Sequence, residues 1–315
     1  MFFQVLLRVF MSADLWKATL EFAAFLLLPA LAGVISERSG VVNIAMEGMM
    51  LTGAYAGVMV TLATNSVWIG VLGAMVAGGL MALVHAIVSI HFKADQIVSG
   101  IAINIAALGL TNYLLYVQTH NQGVKQLSDA LRLPYPSFGP LTSIPFIGQV
   151  LFHQNVIFYL TIGIVIGFHF LLFRTNIGLR IRAVGENPQA ADTAGIHVRL
   201  IRYCSVVGGG LLSGLAGAFL ALGINGIFNS NMTNGAGYIA LAAMIFGKYT
   251  PFGAAGACLI FGLGEALYSR VQDLNVSPDL LSMLPYLLTL IALVGLVGRV
   301  IPPAADGVPY EPGTE

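Results

Sequence analysis

Apolar stretches of about 20 residues recur from one end of this chain to the other, and that length is what the ~30 Å hydrocarbon core of a bilayer requires of an α-helix. They cover residues 15–35, 44–63, 67–90, 97–117, 156–173, 201–224 and 280–298. A further stretch, 238–268, carries Gly247 and Pro251 in its middle and is expected as two short tilted helices or one broken helix. The expected fold is all-α, a polytopic transmembrane bundle of about 8–10 spans, some broken or re-entrant. Composition agrees. Of 315 residues, 57% are hydrophobic and 9% charged, against about 25% charged in a soluble domain, so lipid must be the main solvent. The 14 basic and 14 acidic residues cancel, which excludes the basic face that nucleic acid requires. Cys204 and Cys258 both lie in apolar stretches and read as core residues.

Sidedness follows from the basic residues, because short loops rich in Arg and Lys stay in the cytoplasm. Arg174, Arg180, Arg182, Arg199 and Arg202 fall within one connection, 174–202, which is assigned inside. Alternation then places the turns at Glu37–Arg38 and Lys93–Asp95 and the tail 301–315 inside, and the loop 118–154 outside. Residues 1–300 form a single transmembrane domain. Pro134, Pro136, Pro140 and Pro145 impose extended, turn-rich backbone on the outer loop. The Pro- and Gly-rich tail is expected to be poorly ordered, and residues 1–10 are too short for a signal peptide and read as an amphipathic lead-in.

Within the inner connection the signals of a short helix, 188–194, are all local. Asn187 can cap its free amides, Pro188 occupies the first position, where a missing N–H costs nothing, and Gly195 can take the left-handed conformation that ends it. So short a helix is marginal in water unless it leans on something. It is either a turn packed on its own bundle or a helix shaped for a groove on a cytoplasmic partner.

The run RAVGENPQAADTAGI, 182–196, closely resembles the cytoplasmic loop of ABC transporter permeases in the branched-chain amino acid, simple-sugar and nucleoside importer group. GVVNIAMEGMMLTGA at 40–54, IVSGIAINIAALGLTNYL at 97–114, GYIALAAMIFGKYTPFGA at 237–254 and MLPYLLTLIALV at 283–294 are similar to the same group, in the same order. The tail PPAADGVPYEPG and the asparagine motifs most resemble the smaller permease of nucleoside importers. The resemblance implies a multi-pass permease of the bacterial inner membrane, driven by a separate ATP-binding cassette subunit that carries ATP and Mg, with no cofactor on this chain. It implies three further associations: a second related permease, an external substrate-binding lipoprotein and membrane lipid. It makes 174–202 the coupling loop, with Gly185, Glu186, Asn187, Pro188, Ala191 and Gly195 coupling to the ATPase. The chain has no G-x-x-x-x-G-K-[ST] phosphate loop of its own.

Polar residues within spans are costly and mark function or pairing. Asn43 and Glu47, four apart, are expected on one helical face beside Gly40, Gly48 and Gly53, lining a substrate pathway or clamping helices together. Asn104 and Asn112, eight apart near Tyr113 and Tyr116, pair amides with aromatic planes, which suits a nucleoside and equally suits bonding between helices. Phe228 is the fifth pathway candidate, within a cluster of Asn225, Asn229, Asn231 and Asn234. Lys17 and Glu21 read as a neutralising pair, and Glu265 has no partner that spacing can name. Gly53/Gly57, Gly163/Gly167 and Gly210/Gly214/Gly217 have the spacing of close helix contacts. The octapeptides 44–51 and 239–246 echo each other, as an internal duplication would leave them.

The alternatives are import of simple sugars or branched-chain amino acids by the same class, and an ion-coupled secondary carrier. A carrier shares the broken helices but has no use for the docking helix. An intramembrane enzyme is excluded by the lack of H-E-x-x-H and of metal spacing among the six histidines.

Overall fold

A computed structural model describes residues 10–119, 123–271 and 300–312. The span at 280–298, the motif at 283–294 and residues 1–9 of the lead-in lie outside them. Seven described helices are long and apolar enough to cross a bilayer. They are α1 (Ala13–Glu37), α2 (Met46–Thr64), α3 (Val67–Ala86, continued by a π-helical turn to His91), α4 (Gln96–Thr119), α6 (Val156–Arg174), α9 (Val198–Ala218, continued by a π-helical segment to Asn225) and α11 (Pro251–Val271). Shorter helices are α5 (Ile147–Leu151), α7 (Asn176–Glu186), α8 (Pro188–Thr193) and α10 (Ala236–Phe246). The stretch 238–268 is thus two elements, joined by a turn at 247–250.

Burial separates the inner spans from the rim. In α1, α2 and α9, 78%, 72% and 78% of the apolar window is buried, against 33%, 33%, 28% and 39% in α3, α4, α6 and α11. Ile69, Leu72, Val76, Leu80, Leu83 and Ile87 stand exposed at helical spacing along α3, which is the stripe a lipid-facing helix must offer. Cys204, expected in the core, is exposed, while Cys258 is buried. The inner seam of α2, α3 and α9 is built on small residues. A methyl group added at Gly53 or at Gly78 would stand 2.7 Å from the Gly214 Cα, so these backbones touch. Gly163 and Gly167 differ from expectation: nothing lies within 4 Å of either missing Cβ, so they seal no contact within the described chain.

Two breaks interrupt the bundle. After α1 the chain is non-helical from Arg38 to Ala45, with Gly40 at φ +86°. Its polar backbone is met by side chains from α3 and α4, as irregular backbone at membrane depth demands. Gln96 accepts the Val42 N–H at 2.7 Å. His85 Nε2 donates to the Val42 carbonyl at 2.9 Å, which leaves Nδ1 to accept from Ser99 Oγ at 3.0 Å. The second break, 226–235, contains β2 (Ile227–Asn229), paired antiparallel with β1 (Val124–Gln126) of the outer loop. Apart from this two-stranded ribbon, two 3-10 turns and α5, the described residues of the loop, 123–154, are irregular, as its prolines require.

The breaks stand in an inverted relation. α1 arrives at the end where Arg38 Nε donates to the Tyr249 carbonyl, and the chain turns back into α2. α9 leaves that same end, breaks at the opposite one, and the chain turns back into α10. The octapeptides are out of register with this relation: Ile44 precedes α2, whereas Ile239 lies inside α10.

Candidate functional site

The N-termini of α2 and α10 meet inside the bundle. Glu47, in the first turn of α2, accepts three hydrogen bonds from the start of the other helix. Its Oε1 takes Thr233 Oγ1 at 2.5 Å and the Gly235 N–H at 2.9 Å, and its Oε2 takes the Gly237 N–H at 2.7 Å. A carboxylate at a helix N-terminus is favoured by both the free amides and the helix dipole. Glycine is needed at 237, because a Cβ there would stand 2.7 Å from the Glu47 Cα. These bonds are those of a clamp between helices, and the same side chain also borders a groove.

Asn104 braces the same point from α4. Its Oδ1 accepts the Gly48 N–H at 2.8 Å, and its Nδ2 donates to the Ile44 carbonyl at 2.9 Å and to Tyr238 Oη at 3.0 Å. Eight residues separate it from Gln96, about 12 Å of helix, so the clamp lies well inside the span. Asn43 does not share a helical face with Glu47, since α2 begins only at Met46. It sits fully buried in the break, where its backbone N–H bonds the Glu37 carboxyl. Asn112 accepts from Ser230 Oγ at 2.7 Å. Phe228 is fully buried, its ring 5.3 Å edge-on from Tyr55, in the core rather than on a cavity wall. Lys17 and Glu21 approach to 3.9 Å.

Two cavities flank the 231–236 segment that Glu47 holds. A groove of about 350 Å³ is lined by Glu47, Leu51, Asn104, Asn231, Asn234 and Tyr238, and opens on the face where Ile105 is 67% exposed. On the other side a partly open cavity of about 470 Å³ is lined, among the described residues, by α1, the end of α9, the 232–234 segment, α10 and α11. Asn234 borders both.

The cytoplasmic end is a second constellation. Asn187 accepts the Ala190 N–H at 3.0 Å and caps α8, Pro188 holds its first position, and Gly195 takes φ +80° just beyond Ala194. Ala191 is buried with Val184, Val198 and Tyr310, so α8 leans on its own chain with one face and presents the other. Gly185 packs directly on the Arg38 carbonyl. Glu186 accepts the Ala304 N–H at 3.3 Å, which ties it to the tail rather than to α8.

That tail, expected to be loose, is packed across 300–312. Ala305 N–H donates to the Gly185 carbonyl at 2.9 Å, Lys93 pairs with Glu311 at 2.5 Å, and Tyr310 is buried. Arg202, counted from sequence among the five arginines of the inner connection, is 1% exposed. It donates through Nε to the Ser39 carbonyl at 3.2 Å and through Nη1 to the Val308 carbonyl at 3.0 Å. Beside it Asp306 and Glu37 share a hydrogen bond between their carboxyl groups. Burial pushes Asp306 up to about 6, against the pull of Glu37's hydrogen bond and of the Arg202 charge. The positive-inside pattern does not separate Arg202 from its neighbours; only its helical position on α9, facing the bundle, does so.

Among the described residues no three His, Cys, Asp or Glu side chains are placed to hold a metal. A multi-pass bundle with two inverted broken helices, small-residue seams and a capped helix at its arginine-rich end defines a membrane transport protein. The chain belongs to the family described as the permease component of the branched-chain amino acid transport system, which it matches over residues 17–293. It is 42% identical over 311 residues to the guanosine ABC transporter permease protein NupQ of Bacillus subtilis, covering 94% of this chain and 96% of that one. It is 38% identical to the nucleoside ABC transporter permease protein NupC of Lactococcus lactis, covering 90% and 92%. It is 37% identical to the putative glucose ABC transporter permease protein TsgC13 of Haloferax volcanii, covering 85% and 80%. No solved structure matches the chain. The chain is therefore an ABC transporter permease, a multi-pass protein of the bacterial plasma membrane. It is not itself an enzyme and works with an ATPase subunit and a second permease.

Proposed function

We propose that this permease imports nucleosides, with ATP and Mg bound by its cassette partner and substrate delivered by an external lipoprotein. The carrying observation is the contact of Gly185 with the Arg38 carbonyl. It joins the coupling segment to the end of α1, and the next residues of the chain are the break that leads to Glu47. A cassette pulling on α8 therefore pulls on the clamp. Gly185, Glu186, Asn187, Pro188, Ala191 and Gly195 transmit this movement, and the exposed surface of α8 fits the cassette groove. The groove at Glu47, Asn104 and Tyr238 lines the pathway, and the second permease, with lipid around the pair, closes its open face.

The names of the two nucleoside relatives support the substrate. The glucose relative supports a sugar as the second reading. Uptake of radiolabelled guanosine, in cells lacking the gene and in cells with it restored, tests both, with adenosine, ribose, glucose and leucine as unlabelled competitors. Restored uptake blocked by nucleosides alone is the expected result. Deletion without effect on guanosine uptake would remove the nucleoside assignment.

A further inference from the structure

The cavity of about 470 Å³ is lined by a group that no other described residue bonds. Glu265, on the membrane-spanning helix α11, is among its lining residues, and among the described residues Glu265 has no ion-pair or hydrogen-bond partner. An ionisable group within a membrane-spanning helix marks a function or a pairing, and this one faces the cavity. The remaining walls define its ligand. Phe22, Phe25 and Phe261 bring three aromatic rings, and Asn225 and Asn234 bring amides able to donate and accept. The volume lies within the range of small-molecule sites, about 300–1,000 Å³.

Position gives the direction of access. Phe22 lies in the half of α1 remote from Arg38 and Phe25 at its centre, Asn225 ends α9 next to the outer ribbon, and Glu265 lies in the half of α11 remote from Tyr249. The cavity is therefore in the outer half of the bundle. Its inner wall includes Thr233, Asn234 and Ala236, the segment that Glu47 clamps, and beyond Asn234 lies the groove. A single carboxylate among amides lacks the clustered acidic oxygens of a divalent-cation site. It suits a neutral ligand with paired hydroxyl groups, each donating to one oxygen, and the rings suit a flat base.

We propose that this cavity is a nucleoside-binding site within a single permease, in which Glu265 accepts hydrogen bonds from the 2′- and 3′-hydroxyls of the ribose while Phe22, Phe25 and Phe261 contact the base. The proposal rests on the nucleoside reading above and adds a site that the groove at Glu47 does not contain. Glu265 is in this account a specificity residue for the diol. The clamped 231–236 segment is the wall between this site and the groove.

The test uses the whole transporter, reconstituted with its cassette, partner permease and binding protein, and compares kcat/KM for guanosine with that for 2′,3′-dideoxyguanosine. The binding protein is saturated with either compound, so that its own preference does not enter. Wild type should prefer guanosine by roughly tenfold or more, the worth of hydrogen bonds to a charged acceptor. Glu265→Gln should bring the ratio close to one by lowering guanosine transport alone. A ratio unchanged by the substitution, or both substrates falling together in an assembled complex, overturns the proposal while leaving the nucleoside reading intact. Absence of guanosine transport by wild type overturns that reading and the site with it. If Glu265→Gln fails to assemble, Phe261→Leu is read instead: it should raise the guanosine KM at least severalfold, and an unchanged KM overturns the proposal.

Discussion

The carboxylate of Glu47 holds the backbone amide of Gly237 at 2.7 Å, so two helices that begin inside the bundle are tied N-terminus to N-terminus across 190 residues of sequence. Each of these ends would otherwise leave amides unsatisfied away from water. Glu47 meets the amides of α10, Asn104 meets the Gly48 amide of α2, and together they fix the position of the segment between the two cavities.

Glu47→Gln keeps the shape of the side chain but removes its charge and turns an NH2 group toward amides that need an acceptor. The cost is about 1–3 kcal/mol. The melting temperature of the purified complex should fall by several degrees, and by less for Thr233→Val, which removes one bond. An unaltered melting temperature in Glu47→Gln would dismiss the clamp.

Asn187→Ala removes the cap of α8 at a cost of about 1 kcal/mol and should slow uptake without changing substrate affinity of the external binding protein. Gly185→Val drives a side chain into the Arg38 carbonyl and should abolish uptake. ATP hydrolysis still stimulated normally by the loaded binding protein in both variants would argue against coupling through this segment.

Arg202→Leu strips two backbone carbonyls of their donor and leaves the Glu37–Asp306 pair without its cation, a loss of about 3–5 kcal/mol. The chain should accumulate poorly in membranes. Arg202→Lys should not rescue it, because one ammonium cannot reach both the Ser39 and the Val308 carbonyl as the guanidinium fork does. Quantitative immunoblotting of membranes reads both variants.

The docked tail is pH-sensitive in a stated direction. Burial lifts Asp306 from 3.8 to about 6, so docking favours its protonated form. That contribution is complete below pH 3.8 and is lost as pH rises through about 6. A nitroxide at Val308→Cys, in a chain lacking Cys204 and Cys258, should be more mobile at pH 8 than at pH 5. Asp306→Asn should abolish the difference; a difference that persists would assign it to another group.

The six spans from 15–35 to 201–224, the two-part stretch around Gly247 and Pro251, and the cap at Asn187 were legible in the sequence because each depends on residues adjacent in the chain. Bilayer thickness sets the length of an apolar run, and a capping side chain reaches amides only two or three positions away. The resemblance of 182–196 and its companion motifs carried the class of protein for the same reason, since collinear motifs need no knowledge of contacts.

What tertiary structure alone decided is the pairing of buried polar groups. Glu47 finds Thr233, Gly235 and Gly237; Arg202 finds Ser39 and Val308; the tail finds Gly185 and Glu186. Hydropathy records that such groups stand in or beside an apolar run, but not which distant element will satisfy them. Asn43 left its expected face because the helix starts three residues later, and Gly163 and Gly167 have the spacing of a seam with none of the described residues packed against it. Local chemistry determines where a helix can exist. Which helices meet is settled by the whole bundle, because removing a buried donor or acceptor from water costs more than any local preference can supply.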